Sequence, residues 1–327
     1  MLQLGDPDSP SDGALADVAD RVLAATDSVS TDDDIQLALF LLYACSYGSL
    51  DWIDAEWEWN ADLLGVRRSI ERAFERELRR DVVVPELPPA DGEKIAAELF
   101  RLTAPTPGPS LARHIAKHAT LEQAKEFAVQ RSIYTLREAD PHSWAIPRLT
   151  GRAKVALVEI QSDEYGAGRP ERMHAEIFAR TLRGLGLDSR YGAYLDRVPA
   201  VTLASQNAMS MFGINRRLLG AIVGHLAAFE MTSSLPNRSY AEGFRRLGFG
   251  DEVTEYFDEH VEADAVHEQI AARDLAGSLG EDRPELIADI FFGAAACLMV
   301  DDRVGHHIRA AFETGRSSLR VEADEDV

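Results

Sequence analysis

The hydrophobic and polar positions of this chain repeat with the period of an α-helix almost throughout. From Leu111 to about Phe312, apolar residues recur at three- and four-residue intervals, and Pro or Gly separates one such segment from the next. We find no segment that convincingly alternates apolar and polar residues with the two-residue period of a half-buried strand. The pattern therefore predicts an all-α protein.

The first third of the chain predicts a separate helical arm. An acidic, turn-rich start is followed by an apolar helix with Asp32 as a candidate N-cap, a helix around Trp52, Trp57 and Trp59, and a charged helix over VRRSIERAFERELRR. Two clusters of prolines, at 85–89 and 105–109, interrupt the pattern. We therefore divide the chain into a helical arm (1–105, disordered at its start), a main helical domain (106–315) and an acidic tail (316–327).

Charge and composition indicate which partners the protein can bind and where in the cell it is found. The net charge of −21 argues against binding to nucleic acid or to an anionic membrane. Cys45 and Cys297 each lie in an apolar stretch, which indicates reduced, buried thiols. The start does not resemble a signal peptide, and the longest apolar run is about half of what a bilayer needs. We predict a cytoplasmic protein.

Candidate metal chemistry begins with His260, Asp264 and His267, an HxxxDxxH run within FDEHVEADAVHEQIAARDL. At about 100° per residue, offsets of four and seven return to nearly the same direction, so the three side chains share one helical face. Two imidazoles and a carboxylate suit iron, zinc or manganese. An exposed polar stripe on an acidic protein is the alternative interpretation.

Two glutamates occupy apolar helical faces. Glu230 follows Ile222, Val223 and Leu226 on one face, and Glu164 follows an apolar face in AKVALVEIQSDEYG. A lone buried carboxylate costs several kcal/mol unless it is paired, protonated or bound to a cation, so both are candidate ligands. For Glu230, a position at a helix end that faces solvent is the alternative, because Pro236 follows closely.

Further candidates are weaker individually. His174, predicted on a helix that starts at Pro170, lies near this carboxylate-bearing segment, and Glu138 shares a polar face with Arg131 and Tyr134. Glu171 forms an ExxH pair with His174, the spacing of ferritin-like di-iron bundles, but the helix macrodipole already favours an acid in a first turn. Glu164 therefore ranks above Glu171. Glu138 could equally form an ordinary Arg–Glu helix pair.

The order of these residues resembles a known family. Glu138, Glu164 within DEYG, His174, Glu230 and then HxxxDxxH resemble the heme-oxygenase-like di-iron oxidases and oxygenases, especially the actinobacterial branch called iron-containing redox enzymes. The resemblance covers roughly residues 111–312. It implies a seven-helix, heme-oxygenase-like bundle that holds two irons instead of heme, and an N-terminal helical arm that helps to form a homodimer.

The resemblance also implies a chemistry. The predicted metal ligands are Glu138, Glu164, His174, Glu230, His260, Asp264 and His267. Two iron ions, one of them labile, would activate O2 through a peroxo-diferric intermediate and oxidise a small amine, amino acid or fatty acid. N-oxygenation is slightly favoured over oxidative C–C cleavage or desaturation. Manganese could replace iron, and an external electron donor is compatible with this chemistry.

Residues that contact the substrate are less defined. Arg131 and Tyr134 precede Glu138 by about two turns and one turn, so they could reach a substrate carboxylate or amine. Two other classes of protein stay open: a metal-free relative, such as a thiaminase-like hydrolase or a quinone-cofactor oxidase, and a non-catalytic, dimeric all-α interaction protein. Convergence of Glu164, Glu230 and His260 in space would argue against the last class.

Overall fold

A computed structural model describes residues 13–320, except for the side chains of Ala14 and of residues 262–265. The described residues form helices and no strand, which confirms the predicted all-α class. The α-helices are α1 Ala14–Ala25, α2 Asp33–Tyr47, α3 Ala61–Asp81, α4 Gly92–Leu102, α5 Leu111–Lys117, α6 Leu121–Thr135, α7 Asp140–Ser143, α8 Gly151–Glu164, α9 His174–Gly184, α10 Ala200–Ile214, α11 Leu219–Arg246, α12 Asp251–Gln269, α13 Ser278–Asp282 and α14 Ile287–Glu313.

The chain divides into two compact units, Met1–Asp81 and Val82–Val327. This division falls earlier than the predicted boundary at 105/106. The reason is that α4 packs against the helical segment Ile270–Gly277 and therefore belongs to the second unit.

In the first unit, α2 and α3 pack together through a core that includes Leu39, Phe74 and Leu78, all fully buried. Asp32 caps α2 as predicted, because its side chain accepts a hydrogen bond from the Ile35 N–H at 2.9 Å. The predicted helix around the tryptophans is wrong. Residues 51–60 form turns and the 3₁₀ helix Ala55–Trp59, since the Asp54 and Asn60 side chains accept backbone N–H groups and start new turns.

The second unit is built around the long helix α11. This helix packs against α12 on one side and α14 on another, and it also contacts α5. Glycines allow the closest approach between α11 and α14: a Cβ on Gly224 would lie 1.8 Å from the Ile290 carbonyl oxygen, and one on Gly293 would lie 2.0 Å from that of Ala221. The backbones of the two helices are thus in direct contact, and this contact fixes the position of α11 relative to α14.

The sequence of α11 also passes a length and composition test for a membrane-spanning helix, over Arg216–Arg246. However, 67% of its most apolar window is buried within the protein. Such burial is expected of the central helix of a bundle, whose neighbours cover it on all sides.

The end of the described chain packs onto the second unit. The Ser318 N–H donates to Glu126 at 2.7 Å, the Gln130 side chain donates to the Ser318 hydroxyl at 2.9 Å, and the Arg320 N–H donates to the Arg197 carbonyl at 2.8 Å. The first residues of the predicted acidic tail are therefore fixed in place. Residues 321–327 lie outside the described part of the chain.

The contact between α11 and α14 gives a stability prediction. We expect Gly293→Ala to lower the free energy of unfolding by about 3 kcal/mol, because the new methyl group would meet a backbone carbonyl that cannot move aside alone. Gly305→Ala on the same helix is the matched control. Its Cβ would meet only Leu111 Cβ at 3.8 Å, so helix propensity should raise stability by about 0.5–1 kcal/mol. Urea unfolding measures both, and equal effects of the two substitutions would contradict a close contact at Gly293.

Candidate metal centre

Four elements of the second unit bring the predicted ligands together. Glu164 is the last residue of α8, His174 is the first residue of α9, Glu230 lies in the middle of α11, and α12 carries both His260 and His267. All of these side chains are buried, as is Glu138. Residues that are far apart in the sequence therefore meet in one polar cluster inside an apolar bundle.

The cluster contains a first group formed by Glu138, Glu164, His174 and His260. The ligand atoms of the four side chains all lie within 4.8 Å of one another. His174 Nδ1 is 2.8 Å from Glu164 Oε2, and His260 Nε2 is 3.5 Å from Glu138 Oε1. Two imidazoles and two carboxylates at this separation provide a complete donor set for one divalent transition metal.

A second group consists of Glu164, Glu230 and His267, with the same mutual limit of 4.8 Å. His267 Nδ1 lies 3.4 Å from Glu230 Oε2 and 3.8 Å from Glu164 Oε1. Glu164 belongs to both groups, so its two carboxylate oxygens could serve two ions at once. A shared carboxylate of this kind is typical of sites with two metals about 3.5–4 Å apart.

Several buried nitrogen and oxygen atoms of the cluster, each of which could bind a metal ion, form no hydrogen bond. Within the described side chains, Glu164 Oε2, His174 Nδ1 and His267 Nδ1 have no hydrogen-bond partner, although each faces the cluster. The 2.8 Å approach of His174 to Glu164 does not have the orientation of a hydrogen bond. Because buried polar atoms are normally satisfied, orphaned atoms that point to one place fit a bound metal ion.

The charges of the first group are shifted by burial and by their neighbours. Burial raises the pKa of Glu138, but attraction to His260 and His174 and the hydrogen bond from Tyr256 outweigh it, so the net pKa is lowered. Burial lowers the pKa of His174, but the attraction of Glu164 outweighs it and the net pKa is raised. In the absence of metal, attraction between the imidazoles and the carboxylates thus offsets part of the cost of burying these groups.

In the second group, burial raises the pKa of Glu230, and repulsion by Glu164 adds to the effect, while electrostatic attraction to His267 opposes it. The net pKa of Glu230 is raised. For His267, burial lowers the pKa, but Glu230, Asp163 and Glu164 together raise it to about 9.

Two residues that orient the ligands were not singled out from the sequence. The half-exposed Asp163 accepts a hydrogen bond from His267 Nε2 at 3.1 Å, which turns Nδ1 toward the cluster. The Tyr256 hydroxyl donates to the Glu138 carboxylate at 2.8 Å. Both could have been sought by spacing, since Asp163 precedes Glu164 directly and Tyr256 precedes His260 by about one helical turn.

Two of the predicted ligands lie on different elements from those expected. Glu138 is not on a helix, because α6 ends at Thr135 and a turn follows in which Ala139 has a φ of 75°. The turn still directs the Glu138 carboxylate into the cluster. His174 begins α9, because Pro170–Arg172 is a separate 3₁₀ helix.

The remaining candidates are placed as follows. The Glu171 side chain is exposed and belongs to neither group. Asp264 lies on α12 between the two ligand histidines, but its side chain is outside the described part of the structure. Arg131 and Tyr134 are both half-buried on α6. Burial raises the pKa of Tyr134, and the negative charges of Glu138 and Glu164 add to this.

Comparison with known proteins agrees with this geometry. Residues 125–302 match the sequence profile of a family described as iron-containing redox enzymes. The chain belongs to this family. The resemblance inferred from the motifs is therefore confirmed at the level of this family of iron-containing redox enzymes.

A relative and a solved structure extend this assignment. The chain is 30% identical over 173 residues to a nitrosourea synthase from Streptomyces achromogenes subsp. streptozoticus; the match covers 51% of this chain but only 36% of the relative. A CADD-like protein of unknown function from Nostoc punctiforme superposes with a TM-score of 0.50 at 17% identity, over 64% of this chain and 93% of the other. This likeness concerns the fold alone, and it confirms the predicted heme-oxygenase-like class.

The pKa of His267 gives a prediction for the metal-free protein. Its folded pKa of about 9 exceeds the value of about 6.5 expected in the unfolded chain. A raised pKa stabilises the fold fully below about pH 6.5, and this contribution is lost as the pH rises through about 9. We therefore expect the urea concentration at the midpoint of unfolding of the metal-free protein to decrease as the pH is raised from 6.5 to 9. His267→Gln, which removes the titrating group, should flatten that part of the profile; an unchanged slope would contradict the assignment.

Proposed function

We propose that this protein is a non-heme di-iron oxidase or oxygenase that uses O2 to oxidise a small organic substrate. The observation that carries the proposal is Glu164, a buried carboxylate shared by two groups of potential ligands. The first group would hold one ion through Glu138, Glu164, His174 and His260. The second would hold another through Glu164, Glu230 and His267, with Asp264 as a further ligand.

The residues of the chain would divide the work between binding and orientation. The carboxylates would balance the charge of the ions, and the three histidines would supply nitrogen donors that hold them in a site closed to bulk water. Asp163 would fix the orientation of His267, as outer hydrogen bonds commonly do for metal-bound imidazoles. Bound ferrous ions would supply electrons to dioxygen, and manganese could occupy the same oxygen-rich site.

Arg131 suggests what the substrate carries. Its Nε has no hydrogen-bond partner, and no ion pair with a carboxylate is found for it in the described part of the chain. The guanidinium carbon lies 5.9 Å from the centroid of the Phe127 ring. Burial lowers the pKa of Arg131, but the interactions with Tyr256, Tyr240 and Glu138 outweigh it, so the net pKa is raised. A half-buried cation that forms no close ion pair within the described part of the chain would favour a substrate with a carboxylate, such as an amino acid or a fatty acid.

The relative named nitrosourea synthase favours oxidation at nitrogen, because a nitrosourea contains an oxidised nitrogen atom. N-oxygenation of an amino acid or amine is therefore the reaction that we place first, ahead of C–C cleavage or desaturation of a fatty acid. We also propose that the protein is a cytoplasmic homodimer and that it receives electrons from an external donor.

The metal site is tested by anaerobic titration of the metal-free protein with Fe(II). We expect about two irons per chain, bound with unequal affinity, since the two groups differ in their donors. His260→Ala should abolish the first position and Glu230→Ala the second. Rapid mixing with O2 should then produce a transient visible absorption band only in the doubly loaded protein.

Glu171→Gln is the matched control for this titration, because Glu171 has ExxH spacing to His174 but an exposed side chain. It should leave the stoichiometry unchanged. If Glu230→Ala and His260→Ala both bind iron as the parent does, the proposed centre is wrong, and a metal-free relative becomes the better interpretation.

The role of Arg131 predicts which compounds bind. Amino acids and fatty acids should raise the melting temperature of the iron-loaded protein, and the corresponding compounds without a carboxylate should raise it less. In Arg131→Gln we expect this preference to disappear, with a loss of about tenfold or more in affinity for the carboxylates. Arg309→Gln, which alters an exposed pair with Glu313, serves as the control. Retained preference in Arg131→Gln would contradict the role.

A further inference from the structure

We propose that Tyr256 is a positioning residue that holds two ligands of the first metal position, Glu138 through its side chain and His260 through its backbone. The inference rests on the proposed di-iron function, and it assigns the geometry of one of the two positions to a single tyrosine.

The side-chain contact is with the carboxylate. The Tyr256 hydroxyl lies 2.9 Å from Glu138 Oε1 and 2.8 Å from Oε2, so its proton can be shared between the two oxygens. Glu138 lies on a turn rather than a helix, and its carboxylate therefore receives no orientation from helical packing. The hydroxyl provides that orientation, and it leaves lone pairs on both oxygens for a metal.

The backbone contact is with the imidazole. His260 Nδ1 lies 2.7 Å from the Tyr256 carbonyl oxygen, one turn earlier on α12. A carbonyl can only accept, so the Nδ1 atom carries the proton. The neutral ring therefore presents Nε2 as its lone-pair donor, and Nε2 is the atom that faces Glu138 at 3.5 Å. One residue thus selects the tautomer of the histidine and the rotamer of the glutamate.

Tyr256 is itself held rigidly. It is completely buried, and its ring contacts Phe178 edge to face at 5.0 Å and Phe257 at 5.3 Å. It also lies over His260, with 4.3 Å between the ring centroids. A phenylalanine would fill the same apolar space, and the hydroxyl is therefore explained by the carboxylate and not by packing.

The second metal position lacks this support. Glu230 and His267 lie close to each other, and Asp163 accepts a hydrogen bond from His267. Removal of the hydroxyl should therefore weaken one metal position selectively. Loss of an outer-shell partner of a metal ligand typically lowers affinity by about 10–100-fold.

The test uses the full-length, metal-free protein and cobalt(II) as the probe, under anaerobic conditions. Visible absorption follows both affinity and coordination geometry as the metal is added. In Tyr256→Phe we expect the first position to bind about tenfold more weakly or worse, with altered ligand-field bands. The affinity of the second position, compared between chains whose first position is empty, should be unchanged. Tyr240→Phe is the matched control, because Tyr240 is a buried tyrosine of the same core that packs on Phe127 and Phe257.

A purely structural role is separated by a double-mutant cycle with Glu138→Gln. If Tyr256 acts through Glu138, the substitution Tyr256→Phe should have little further effect on cobalt affinity once Glu138 is replaced. Additive effects, or wild-type cobalt binding by Tyr256→Phe, would overturn the inference and leave the proposed function intact. Failure of the parent protein to bind cobalt or iron would overturn both.

Discussion

The organisation of the second unit depends on the burial of charge. Three carboxylates and three imidazoles, from Glu138, Glu164, Glu230, His174, His260 and His267, are enclosed by apolar side chains. Burial of one unpaired carboxylate costs several kcal/mol, and here repulsion between like charges is added to that penalty. Such an arrangement persists only if protons or cations compensate the negative charge. The shifted pKa values of the cluster reflect compensation by protons.

Rigid packing of the helices holds these carboxylates and imidazoles in their buried positions. The backbone contact of α11 with α14 fixes the position of α11, and α11 in turn carries Glu230 and packs on α12, the helix of His260 and His267. α12 then continues as a π-helix over Ile270–Gly277, directly after the segment that carries the candidate ligands. Interruptions of this kind are frequent at functional sites, where an extra residue redirects the side chains that follow.

Much of this centre could be predicted from the sequence because helical periodicity is a local property. The spacing of His260 and His267 and the apolar faces that precede Glu164 and Glu230 each define a direction in space without knowledge of the partner helices. Glu138 is different, since its position depends on a turn with a left-handed Ala139 that no periodic pattern indicates. The contacts of Asp163 and Tyr256 likewise arise only when separate helices meet. The helix expected around Trp52 failed because Asp54 and Asn60 hydrogen-bond with the backbone and compete with helix formation.

The position of Glu164 in both ligand groups has a thermodynamic consequence. An ion that draws one carboxylate oxygen toward the first group changes the orientation and the electron density of the other oxygen, which serves the second group. If both positions bind metal as proposed, occupancy of one would therefore alter the free energy of filling its neighbour, and by linkage the effect would be equal in both directions. The two positions would then form one cooperative unit, and the half-loaded protein would be a distinct chemical species with its own affinity.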